Sequence, residues 1–258
     1  QALIGSDAVI NLVGILHENR KNSFEKVHHQ LPRRVAQMCE ELGIARLLHM
    51  SALQASKTAP SQYLRSKAAG EAAVNEFSKK LDVTIFKPSV IFGRGDRFLS
   101  LFAMLVKFLP VIFLAKPNAK FQPIWVEDVA QCFVNALENT ATYGKSYELG
   151  GPQIYSLRDL VQKVMEVLGK TRPIVGLNNA LSMAQASAMQ LSPIPLITCD
   201  NIRSMQVDSV CEDSIAKVLG VVPTSLDVIA PEYLLDSSPR ASYDAFRSAA
   251  GRAINARR

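Results

Sequence analysis

The residues with the clearest chemical potential are Tyr63 and Lys67, in the stretch Gln62-Tyr63-Leu64-Arg65-Ser66-Lys67. Four positions apart, they stand one above the other on one face of a helix. A phenol has a pKa of about 10 and is a poor acid or base at neutral pH. A neighbouring ammonium favours the phenolate, so the spacing predicts a lowered Tyr63 pKa and proton exchange with a substrate hydroxyl or carbonyl. The same spacing also describes an ordinary solvated pair on a helix, and context has to separate the two.

Other chemistries lack their spacing. His17, His28, His29 and His49 form no HExxH or His-x-x-x-His pattern, so no metal site is expected. No G-x-S-x-G elbow is present for a hydrolase. Glu127 and Asp128, after a core Trp125, read as first-turn acids favoured by the helix dipole.

The elements that must position Tyr63 and Lys67 follow from periodicity. Residues 7–14 (DAVINLVG) and 45–52 (ARLLHMSA) are short apolar runs suited to buried parallel strands. Between them, Val35, Met38, Cys39 and Leu42 recur at helical spacing, with Pro32 in the first turn and Gly43 as the stop. Pro60 and Ser61 open the helix that carries the pair, to about Lys80, and residues 83–93 (VTIFKPSVIFG) give a third strand. Strands separated by helix-length segments predict βαβ units around a parallel sheet. Residues 98–115 are nearly all apolar, but Lys107 and Pro110 interrupt them, which predicts a buried helix and a short strand rather than a membrane span. A capping-box-like start at Ser156 to Asp159 and a strand at 172–177 predict a small mixed lobe from about residue 145.

With 258 residues and 48% apolar content, the chain can bury a real core in one or two domains. Its net charge of +6 is concentrated in residues 237–258, where Arg240, Arg247, Arg252, Arg257 and Arg258 face only Asp244, leaving +4 there. The body is close to neutral and no nucleic-acid binding is expected. Cys39, Cys132, Cys199 and Cys211 form no CxxC pair and read as reduced core thiols.

The order of motifs is more specific than any one of them. NLVG at 11–14, the Ser-bearing strand end, YLRSK at 63–67, KPSVIFGRGDRF at 87–98 and PIWVEDVA at 123–130 resemble the extended and atypical short-chain dehydrogenase/reductases of the epimerase/dehydratase superfamily. With LITCDNIRSMQ they look like the branch holding the nucleotide-binding accessory subunit of respiratory complex I. The resemblance implies a Rossmann-like, doubly wound parallel α/β sheet at 1–144, a smaller substrate-lobe-like region at 145–236 and a basic, flexible tail at 237–258. It implies NAD or NADP as cofactor, with Tyr63 and Lys67 catalytic and Asn11, Gly14, Lys67, Pro88 and Val90 in cofactor contact. Arg94 and Asp96 would stand at the substrate mouth, or simply form a structural turn.

Two departures qualify this. Family members place the active-site Ser or Thr where Ala52 stands, and Ser51, one residue early, points to the opposite strand face. No G-x-x-G-x-x-G is present, so the sheet is expected to lack its first strands and pyrophosphate loop, as in an N-terminally truncated fragment. The resemblance therefore implies a nucleotide-dependent structural, assembly or redox-sensing role, with an active epimerase, dehydratase or reductase as the alternative. Complex I subunits are the implied partners, in a cytoplasmic or peripheral inner-membrane setting (the matrix side in a eukaryote).

Overall fold

A computed structural model of the chain describes residues 3–192, 195–212, 215 and 217–235; the expected basic tail at 237–258 lies outside the described residues. Ala8–Asn11 (β1) leads through a π-helical turn at Glu25–Gln30 into Leu31–Leu42 (α1). Arg46–Met50 (β2), Gln62–Asn75 (α2), Asp82–Pro88 (β3), Ile91–Phe92 (β4), Leu99–Phe108 (α3) and Ile112–Ala115 (β5) follow. The remainder comprises Lys120–Phe121 (β6), Ile124–Trp125 (β7), Val126–Leu137 (α4), Lys145–Leu149 (β8) and Tyr155–Ser156 (β9). Leu157–Val167 (α5), Ile174–Leu177 (β10), Asn179–Met189 (α6), Cys199–Ser204 (α7) and Leu226–Leu234 (α8) complete it.

The main sheet runs β1-β2-β3-β8, every neighbour parallel, with Leu47 paired to Val9 and to Val83. Both faces are covered, as parallel sheets require. Leu47, Val83 and Ile85 pack against Ala36, Cys39 and Val74 of α1 and α2. Leu48, Phe86 and Leu149 pack on the other side against Val129, Cys132 and Phe133 of α4. This is the doubly wound Rossmann-like architecture the sequence implied.

Local chemistry sets the helix limits. Pro32 occupies the first turn of α1, and Gly43 ends it at φ 72°, where a side chain would be strained. Ser61 caps α2 by accepting from the Leu64 amide at 3.2 Å. The capping box at Ser156 and Asp159 opens α5, and residues 98–115 form a helix and a strand, α3 and β5.

One boundary differs from the expectation. Lys145–Leu149, assigned from sequence to the small lobe, is the fourth strand of the main sheet, paired with β3 from Thr84↔Lys145 to Pro88↔Leu149. Its residues KSYEL are half polar because β8 is an edge strand. Outside the main sheet, later elements pack on earlier ones: β5 pairs with β10, while Leu99, Phe102 and Val106 of α3 pack on Leu160, Val164 and Ile229 of α5 and α8. Buried Asp128 ties the two parts together, accepting from the Thr224 amide at 2.6 Å and hydroxyl at 3.1 Å.

Candidate functional site

Strand β2 delivers the His49 ring, the Met50 carbonyl and, just beyond its end, the Ser51 hydroxyl to the carboxyl edge of the sheet. Because side chains alternate, His49 and Ser51 share the face covered by α2, and both are buried. Lys67, on α2, is 6% exposed, and its Nζ donates to the Met50 carbonyl at 2.8 Å. Asn11 ends β1, and its Nδ2 donates to His49 Nδ1 at 3.1 Å while its Oδ1 accepts from the Val13 amide at 3.2 Å. That bond turns the chain so that exposed Gly14 passes over the cluster. A Cβ on Gly14 would stand 3.7 Å from Lys67 Nζ and 3.6 Å from His28 Nε2, so the backbone there rests against both.

His28 comes from the π-helical turn. Its Nε2 accepts from the Ile15 amide at 3.0 Å and its Nδ1 lies 2.8 Å from Ser66 Oγ. Phe24 stacks on its ring at 5.2 Å, and the Tyr63 ring meets it edge-on at 5.5 Å. Neither His28 nor His49 was assigned a role from sequence, because histidine pairs were weighed only as metal ligands. A histidine inside the apolar strand RLLHM is the signal that marks His49; His28 carried none.

Charge in this cluster is concentrated on one atom. Burial pulls Lys67 down to about 8, with Glu71 acting in the opposite direction. Burial, reinforced by the Lys67 charge, lowers His28 to about 4; burial, then Lys67 and His28, lowers His49 to about 3. At neutral pH both imidazoles are uncharged beside an amine that is mostly protonated. An ammonium has three donors and Met50 takes one, so the arrangement fits hydroxyl acceptors arriving over Gly14. A side chain at position 14 would fill that space. The donor set therefore suits the ribose of a dinucleotide.

Tyr63 behaves differently from the expectation. Burial pushes its phenol up to about 12, where the spacing predicted a lowered value. The amine one turn away donates to Met50, and the phenol packs beside Ala52, Ala59 and Leu64, surroundings that penalise the phenolate. The Ser51 hydroxyl donates to Glu71 Oε1 at 2.5 Å, and Glu71 Oε2 pairs with Lys87 at 2.8 Å. The one-residue offset thus gives Ser51 to Glu71, on the Lys67 side of the strand, and leaves Ala52 beside Tyr63.

The remaining sequence-derived residues are spread along the same edge. The Pro88 carbonyl accepts from Leu53 at 3.0 Å, and the Val90 carbonyl from Ile124 at 3.0 Å, joining β4 to β7. Arg94 is exposed in the following turn. Asp96 accepts from the amides of Leu99 at 2.8 Å and Ser100 at 3.2 Å, which secures the start of α3. Among the described residues no group of three or more His, Cys, Asp or Glu side chains could hold a metal ion.

With this geometry in view, residues 2–150 match the model of the NAD dependent epimerase/dehydratase family. The chain is 33% identical over 246 residues to the mitochondrial NADH dehydrogenase [ubiquinone] 1 alpha subcomplex subunit 9 of Arabidopsis thaliana, covering 89% of this chain and 60% of that protein. The Rattus norvegicus subunit of that name is 35% identical over 239 residues, covering 91% and 63%. The chain thus spans about three fifths of the length of these relatives. Among solved structures, an NADPH-dependent quinone oxidoreductase from Escherichia coli complexed with NADPH superimposes with a TM-score of 0.71 at 16% identity, covering 91% of this chain and 78% of that one. MoeE5 in complex with UDP-glucose and NAD superimposes with a TM-score of 0.67 at 16% identity, covering 93% and 81%. At such identities these two structures support the fold alone.

Proposed function

The chain belongs to the NAD dependent epimerase/dehydratase family, and from that premise we propose that its protein binds a nicotinamide dinucleotide through Lys67 and the Asn11–Gly14 turn. The observation that carries this is the single buried amine presented beneath an exposed glycine, flanked by two neutral imidazoles. Lys67 and the backbone of Gly14 would hold the ribose, Asn11 would hold the turn, and the chain beyond Pro88, at Val90, would border the nicotinamide. A bound nicotinamide supplies hydride chemistry.

The role proposed for that binding is structural: nucleotide-dependent support or assembly of a respiratory complex I, or sensing of its redox state. Two observations favour this over turnover. The Tyr63 phenol is pushed away from neutral ionisation, and the hydroxyl expected beside it is replaced by Ala52. The similarity to complex I subunits named as mitochondrial supports association with that assembly, and the place proposed for it is the matrix side of the inner membrane. No helix among the described residues is long and apolar enough to cross a membrane. Exposed Phe108, Phe113 and Val175, the last two opposite one another across β5 and β10, support contact with a membrane or a membrane subunit.

Titrating full-length protein with NADH and NADPH by fluorescence tests the binding. Saturable binding of one or both is expected, and the ratio of the two affinities identifies the cofactor. No binding of either would refute the proposal. Co-purification with complex I subunits supports the structural role. Reproducible turnover of a small carbonyl or sugar-nucleotide substrate that Tyr63→Phe abolishes would replace that role with the enzymatic one.

A further inference from the structure

We propose that His28 is the positioning residue of this site: one neutral imidazole clamps the turn over which the dinucleotide would lie onto the helix that carries Tyr63 and Lys67. The proposal rests on the dinucleotide reading above and adds to it the element that fixes the site's shape.

The hydrogen-bond directions leave little freedom. A backbone amide can only donate, so His28 Nε2 accepts from Ile15 and the ring hydrogen sits on Nδ1. Nδ1 then donates to Ser66 Oγ, and the Ser66 hydroxyl donates onward to the Tyr63 carbonyl at 2.7 Å. One chain of bonds therefore runs from the segment after Gly14 to the backbone of Tyr63 on α2. Tyr63 closes the circuit by laying its own ring edge-on to His28.

The backbone is built to bring His28 there. It lies in a π-helical turn, a local widening that is rare and tends to occur at functional sites. That turn sits on α2 so closely that a Cβ at Gly70 would come within 2.0 Å of the His28 carbonyl oxygen. Glycine at 70 is the condition for the approach, and Phe24, stacked on the ring and itself meeting Tyr63 edge-on at 6.0 Å, restricts its remaining freedom. The groups facing the imidazole are Ser66, Lys67 and Tyr63 from α2, the Ile15 amide, Phe24 from the segment entering its own turn, and His49 from β2. Protonating Nε2 would break the Ile15 bond and place a second cation beside Lys67, so the clamp works in the neutral form.

Two measurements on the full-length protein test this. Ring nitrogen-15 shifts at pH 7 should report the Nδ1–H tautomer for His28; the commoner Nε2–H tautomer would overturn the clamp without any variant. His28→Phe keeps an aromatic ring against Phe24 and Tyr63 but loses both bonds. In that variant the Ile15 amide should exchange at least about tenfold faster, as expected for one lost hydrogen bond of about 1.4 kcal/mol, while Leu48 and Ile85 in the sheet stay protected. Dinucleotide affinity should weaken by about tenfold alongside it. Unchanged exchange at Ile15, or faster exchange with undiminished affinity, would reject the positioning role. If wild-type protein binds no dinucleotide, the functional reading fails, and the tautomer and exchange results still decide whether the clamp exists. Should His28→Phe not fold, Ser66→Ala removes the other end of the clamp; unchanged exchange at Ile15 there would reject the proposal.

Discussion

Strand β2 holds a buried cation near each of its ends, and the two are used in opposite ways. At the amino end, Arg46 is 5% exposed and four of its five N–H donors are engaged. It donates to the carbonyls of Leu137 at 3.0 Å, Asp82 at 2.6 Å and Ala136 at 2.5 Å and to Thr142 Oγ1 at 3.1 Å, with the Tyr143 ring 4.5 Å away. Those acceptors are three backbone carbonyls, from the end of α4 and the start of β3, and one hydroxyl that follows α4. At the carboxyl end, Lys67 is buried to nearly the same degree but gives one bond to Met50 and keeps donors in reserve beside Gly14. Burial of charge is therefore common to a structural bolt and a candidate binding site. What separates them is whether the donors are already spent.

The comparison is sharpened most by Arg46→Ala. Three carbonyls, one buried and two partly buried, would lose a donor, and stability should fall by about 3–5 kcal/mol. That corresponds to roughly 10 °C in the thermal midpoint for a chain of this size. A loss of less than about 1 kcal/mol would mean that the amino end is as loosely committed as the carboxyl end.

The effect of pH on stability at Lys67 comes next. Its folded pKa is lowered from 10.5 to about 8, so the unfolded chain binds the proton more tightly. Its contribution is fully present above pH 10.5 and is lost as pH falls to about 8. Wild-type stability should therefore rise across that window relative to Lys67→Met, which removes the titrating group. Parallel pH curves for the two proteins would contradict the buried-amine assignment. The smallest effect is expected at Tyr63: its phenolate absorbance should not develop below about pH 12, and Tyr63→Phe should leave stability almost unchanged. Ionisation near pH 8 or 9 would restore the acid–base reading.

Much of this was legible in the sequence and some was not. The strands within DAVINLVG and ARLLHMSA, shorter in the structure at Ala8–Asn11 and Arg46–Met50, the Gly43 stop and the Ser61 cap were readable because period and capping chemistry are local. KSYEL was misplaced because membership in a sheet is a long-range fact: its pairing with β3 depends on α4 returning the chain across the other face. At the site, helical spacing correctly put Tyr63 and Lys67 on one helix. It could not reveal that Met50 accepts the amine, or that apolar neighbours drive the phenol upward. The offset of Ser51 was readable from strand alternation, and its partner Glu71 was not. His28 escaped notice because its function lies in two hydrogen bonds to residues 13 and 38 positions away.

The most direct test is the dissociation constant of full-length protein for NADH or NADPH, whichever binds more tightly, measured for wild type and for Lys67→Met. Losing charged hydrogen bonds worth about 1.5–3 kcal/mol should weaken binding by roughly 10- to 100-fold, with no loss of thermal stability at pH 7. Equal affinity in the two proteins would show that the amine under Gly14 does not hold the nucleotide.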